Sequence, residues 1–273
     1  MNKKRSNLLI LVAMLFSCQA PQKIYNEEVS LFKDNSKNPE GKFLKEDIAH
    51  LPTPVQKYFN LCGLIGQPKS DWAEIVWADS QIRMRPNQKM MRLKTYQHNF
   101  VNEPSRLAYM RANIMGIVPF EGRDKYCNGQ GHMFGTLGRV IKIFDQKDFE
   151  IAQGAAIVLL AESLLLPLYA IQPYIQWEPI DEFTAQARFV HKGVDVGGTF
   201  HFNQQGEYIR FTTNERPYSL PNGEYELKPY TIQIRSYQQQ GEIRIAKEVA
   251  AIWNLTDGDY EYWKGTVKEI RFQ

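Results

Sequence analysis

The chain has 273 residues, with 33 basic and 30 acidic side chains and a formal net charge of +3. Lys3, Lys4 and Arg5 supply three of the basic charges and the first 17 residues hold no acidic one, so the rest of the chain balances at 30 against 30. That balance excludes the general basic footprint of a nucleic-acid binder.

The first stretch, residues 1–17, has the organisation of an export signal: a basic start, an apolar core from Leu8 to Phe16, and Cys18 directly after Ser17. It resembles a bacterial lipoprotein signal, with Leu15 three places before the cysteine and a small residue just before it. The resemblance implies that Cys18 becomes an acylated first residue holding the protein to a membrane. Stable anchoring takes more than one chain. Gln19 after the cysteine leans the expected address towards the outer membrane, facing the periplasm. Residues 18–42 are polar and are expected to form a flexible tether, leaving 43–273 as a single domain. With Cys18 modified, Cys62 and Cys127 remain, and both are expected to be free and buried.

The folded part opens with a short helix, for which Thr53 serves as cap, Pro54 as an early helical residue and Gly63 as the stop. Val55, Tyr58, Phe59 and Cys62 share one face of it at helical spacing. From Ala73 the period changes to two. Segments 73–85, 88–99, 105–115 and 117–127 read as strands, and 131–144 as a fifth interrupted by Gly135 and Gly138. Further strands are expected at 174–178, 183–192, 194–203, 206–215, 225–237, 241–254 and 258–272.

Between the two blocks lies the longest apolar run after the signal, Asp148 to Ile171. It predicts a helix apolar nearly all round, started by Asp145 or Asp148 and limited by Pro167. A membrane span is disfavoured, because the apolar part, from Ala155 to Ile171, is shorter than the roughly 20 apolar residues a span needs and carries Glu162. Short links between consecutive strands make a meander. The expected fold is therefore mainly β with α: a strongly curved antiparallel sheet or incomplete barrel of about eleven strands around one long apolar helix.

The candidate sites are few. No glycine-rich phosphate loop, GxSxG elbow, HExxH or paired CxxC occurs, so no catalytic residue, metal or cofactor is assigned. His191 and His201 could meet across a hairpin, but no third ligand accompanies them. Glu162 within the apolar helix needs a buried partner, for which Arg216 is the leading candidate and Arg139 the second. Every methionine beyond the signal falls in the first block of strands, and Met84, Met110, Met115 and Met133 are the candidate lining of an adaptable apolar pocket.

The opening LPTPVQKYF, the helix with Ala161-Glu162 and Pro167, Ile175-Gln-Trp-Glu-Pro179, GTFHFNQQGE, and Trp253-Asn-Leu255 with Asp259-Tyr-Glu-Tyr-Trp-Lys264 together resemble an uncharacterised bacterial family of unknown function. The resemblance covers about residues 47–272 and departs at Ala246, where a proline is expected. It implies no activity, and it places Glu162, Arg216, Trp253 and Tyr262 on positions of the family pattern. The leading expectation is a lipid-anchored cell-envelope protein that binds a lipid or other apolar molecule in a half-barrel, by analogy with half-barrel lipoprotein carriers. The alternatives are a hydrolase or isomerase using Glu162, and a scaffold lipoprotein without a small ligand.

Overall fold

The computed structural model describes residues 20–37, 39–114 and 116–273, so Cys18 and Met115 lie outside the described residues. Thirteen antiparallel strands form one curled sheet. The first six are β1 (Trp72–Ile82), β2 (Met91–Phe100), β3 (Ser105–Ile114), β4 (Val118–Cys127), β5 (Gln130–Leu137) and β6 (Ile141–Gln146). The other seven are β7 (Ile175–Pro179), β8 (Thr184–His191), β9 (Val194–Phe202), β10 (Tyr208–Ser219), β11 (Tyr225–Gln240), β12 (Ile243–Leu255) and β13 (Gly258–Phe272). Each strand pairs with its neighbours in sequence except β6 and β7, which do not pair, and β1 also pairs with β13, so the order runs from β6 at one free edge through β1 and β13 to β7 at the other. The expected fifth strand is two: Gly138 and Arg139, at φ 61° and 65°, turn the chain back into β6. Two left-handed residues suit the twist of a tight hairpin.

Inside the curl lies α4 (Phe149–Ala161), followed by a 3-10 turn at Glu162–Leu164 and the short α5 (Pro167–Ala170). Ala156, Ile157, Leu159, Leu160 and Ala161 are wholly buried, as a helix without a polar face must be. α4 lies against β5 on one wing and β9 and β10 on the other. Gly131 makes the close approach: a Cβ there would stand 2.4 Å from the backbone nitrogen of Ala152. Asp148 occupies the cap position without a side-chain cap bond, and Asp145 instead pairs with His132 and Lys142. No described helix is long and apolar enough to cross a membrane. The wings also meet directly, through Tyr126 Oη and His191 Nδ1 at 3.1 Å and Lys192 Nζ and Glu103 at 2.8 Å.

Before the sheet come α1 (Pro21–Asp34), α2 (Lys45–Ile48) and α3 (Thr53–Leu61). α3 begins at Thr53 with Pro52 in the cap position and packs Val55, Tyr58 and Phe59 into the core, with Gly63 in the left-handed conformation at its end. α1 corrects the expectation of a polar tether. Tyr25, Val29 and Phe32 recur at helical spacing, and the stripe packs on Phe100, Leu107 and Tyr109 of the convex face. Glu28 on the same helix bonds Arg123 and Lys125 at 2.7 Å and 2.8 Å. Alternation along β2 separates the two faces: His98 and Phe100 meet α1, while Gln97 and Asn99 point into the curl.

Candidate functional site

Two polar clusters and one cavity lie on the concave side. Glu162 stands where α4 ends, at its C-cap rather than within it, and accepts four hydrogen bonds there. Gln97 Nε2 donates at 2.9 Å, Asn99 Nδ2 at 3.1 Å, and Arg106 Nε to both oxygens at 3.1 Å. Arg106 Nη1 reaches Asp124 at 3.1 Å, and Trp77 Nε1 donates to Gln97 Oε1 at 3.3 Å. Burial disfavours the Arg106 charge, but Glu162 and Asp124 beside it outweigh that and hold the cation more firmly than usual. The side chains of Glu162 and Arg106 are only 11% and 12% exposed. This is a buried ion pair completed by two amides, the condition under which such a pair holds a helix end in place.

Arg216 is not the partner of Glu162. Its guanidinium carbon sits 3.9 Å from the ring centre of Tyr230, 4.8 Å from Trp253 and 5.6 Å from Tyr262, and Nη1 donates to Tyr262 Oη at 3.0 Å. Aromatic faces attract a cation through their quadrupole, so this box replaces a carboxylate. Arg139 is not the partner either: it bonds Glu121 on the convex side. Three of the four residues singled out in the sequence, Arg216, Trp253 and Tyr262, thus form one cluster. Glu162 belongs to another.

The groups that sequence reasoning missed are Gln97, Asn99, Arg106 and Asp124. Gln97 and Asn99 did carry a signal, since two amides at alternate positions on the inward face of a curled sheet require a buried polar partner.

Of the methionines, Met84 is exposed, while Met110 and Met133 are half-buried on strands β3 and β5. None of these three borders the apolar cavity beside α5. That cavity measures about 230 Å³ and is walled by Phe43, Leu64, Val101, Leu166, Leu168 and Phe272. Pro167 starts α5 at this point, and its fixed φ turns the chain so that Leu166 and Leu168 face inward. Asn99, wholly buried, marks the inner end, and Lys69, partly exposed and paired with Asp47 at 3.0 Å, stands at the mouth. Asn99 therefore joins the cavity to the Glu162 cluster.

His191 and His201 do not meet: His191 pairs in register with Val194, and His201 with Thr184 while bonding Thr212. Among the described residues no three His, Cys, Asp or Glu side chains come together as a metal site. Cys62 and Cys127 are both free, Cys62 buried and Cys127 half-buried.

A family model matches residues 41–265, nearly the whole described sheet. The chain belongs to the family of unknown function DUF6544. A search of curated proteins finds no match to this DUF6544 chain. Among solved structures it is similar to a DUF1329 family protein from Desulfovibrio piger, with 9% identity over 85% of this chain and 94% of that one and a TM-score of 0.43. It is also similar to a LolA superfamily protein from Nitrosomonas europaea, with 7% identity over 80% of this chain and 93% of that one and a TM-score of 0.41.

Proposed function

We propose that this DUF6544 protein is a lipid-anchored protein of the cell envelope that holds an apolar molecule, or the end of an acyl chain, in the half-barrel. The observation that carries the reading is the cavity of about 230 Å³ beside α5, apolar on its walls and polar at both ends. Pockets for drug-sized ligands run from roughly 300 Å³ upward, so this one suits a compact apolar molecule or part of a chain. Lys69, Gln67 and Gln273 at the rim provide polar groups for a head group. Attachment through Cys18 at the periplasmic face of the outer membrane is supported by the leader sequence.

The test is native mass spectrometry of residues 20–273, the whole of the described fold, purified from cells. A lipid-sized adduct is expected, and it should be lost in Val101→Phe, which adds bulk to the cavity wall. No adduct, together with no uptake of a fluorescent fatty acid by the unsubstituted protein, would reject the reading.

A further inference from the structure

Three hairpins of the first wing turn at the same end of the sheet: β1 to β2, β3 to β4, and β5 to β6. Their tips are unusual for a soluble surface. Met84 is 63% exposed, Ile117 83%, Val140 62% and Ile141 60%, one or two large apolar side chains on each tip. Clustered exposure of this kind marks an interaction site, whereas scattered apolar residues do not.

The charge on the same segments has one sign. Arg83, Arg85, Lys89, Arg92, Arg139 and Lys142 fall within 83–92 and 138–142, and 83–92, 116–120 and 138–142 contain no acidic residue. Asp79, Glu121 and Asp145 on the strands behind pair with Arg92, Arg139 and Lys142. Arg85 and Lys89, both exposed, pair with no carboxylate among the described residues. The basic character stops at β1, since the adjoining turn after β12 and the start of β13 carry Asp257 and Asp259.

The direction of α1 adds an independent observation. Tyr25 packs on Tyr109, whereas Phe32, two turns later, packs on Phe100, which pairs with Ser105 at the opposite end of β2 and β3. The helix therefore runs away from the tips, and its first turn, at Pro21, lies towards them.

We propose that these three tips are a docking surface for an anionic lipid bilayer. Ile117, Val140, Ile141 and Met84 enter the boundary between head groups and acyl chains, and the arginines and lysines meet lipid phosphates. The proposal does not rest on the cavity, which lies at the other end of β1 and β2.

Residues 20–273, which lack the leader and Cys18, are sedimented with vesicles of phosphatidylglycerol and phosphatidylethanolamine, and with vesicles of phosphatidylcholine alone. Binding to the anionic vesicles alone is expected, and it should fade near 1 M salt, where charges are screened within about 3 Å. Arg85→Glu with Lys89→Glu should weaken it at least roughly fivefold per cation removed. Ile117→Asp with Val140→Asp should abolish it, while Lys147→Glu at the opposite end should leave it unchanged. Circular dichroism melting verifies that each variant is folded. Vesicle-induced protection of the tip amides from hydrogen exchange gives a second readout on the unsubstituted protein. Equal binding to both vesicle types, no binding to either, or folded tip variants that bind as the parent does would overturn the proposal.

Discussion

Arg106 Nε lies 3.1 Å from each carboxylate oxygen of Glu162, so the end of α4 is tied to β3 by a charged fork. Glu162→Ala leaves Arg106 beside Asp124 alone and strips Gln97 and Asn99 of their acceptor. Breaking a buried pair in this way costs about 3–5 kcal/mol. Glu162→Gln keeps an acceptor oxygen and should lose clearly less. Urea unfolding of both variants measures the difference, and equal losses would contradict the structural role.

The sequence shows that Glu162 requires a partner, but not which one. Arg216 and Arg106 are both arginines on strands, and the choice is made by the curl, which brings Arg106 of β3 to the end of α4 and leaves Arg216, further along β10, beside Gly154. Periodicity made the curled sheet and its central helix legible, because alternation and an all-apolar run are local signals. The α1 stripe of Tyr25, Val29 and Phe32 was also local, but it sits among polar residues whose composition suggests a tether. The turn at Gly138-Arg139 was hidden because arginine seldom adopts positive φ. The cavity was not legible at all, since its walls come from segments far apart in sequence.

Gly131, facing α4, and Gly154, within it, should respond in opposite directions to alanine. Gly131→Ala drives a Cβ into the backbone of Ile151 and Ala152, at 2.5 Å and 2.4 Å, and should cost about 1–3 kcal/mol as the helix is displaced. Gly154→Ala meets nothing nearer than Arg216 Nε at 4.0 Å and should gain up to about 1 kcal/mol from helix propensity. Thermal melting of the two variants tests the contrast.

Acid should weaken the seat of α1. His98 accepts a hydrogen bond from Tyr25 Oη at 2.7 Å, and burial, aided by Lys33, lowers its pKa from 6.5 to about 3. The folded protein keeps it neutral while the unfolded chain takes up a proton, so its contribution is full above pH 6.5 and is lost progressively down to about pH 3. At pH 5 the loss amounts to about 2 kcal/mol. Glu28 adds a further loss at lower pH: burial raises its pKa, but hydrogen bonds from Arg123 and Lys125 outweigh that and hold it below the usual value. Stability measured at pH 7.5 and pH 5 should fall less in His98→Gln than in the parent, and an identical fall would refute the assignment.

The two thiols of residues 20–273 should separate by reactivity. Burial pushes the Cys62 thiol up to about 12, and the residue is 1% exposed, so it offers neither thiolate nor access. Cys127, half-buried beside the Asn128-Gly129 turn, should react with a maleimide in the native state. Mass spectrometry should show one modification in buffer and two in denaturant.

The sheet never closes on itself, because β6 and β7 remain separate edges, and the gap between the wings is spanned by α4, by the segment after it through Tyr169 and Tyr174, and by side chains. A sealed barrel fixes its bore through continuous backbone pairing. This one has a jaw and a wedge: α4 and the residues that follow it stand between the wings, so the width of the interior is set by side-chain packing and not by a ladder.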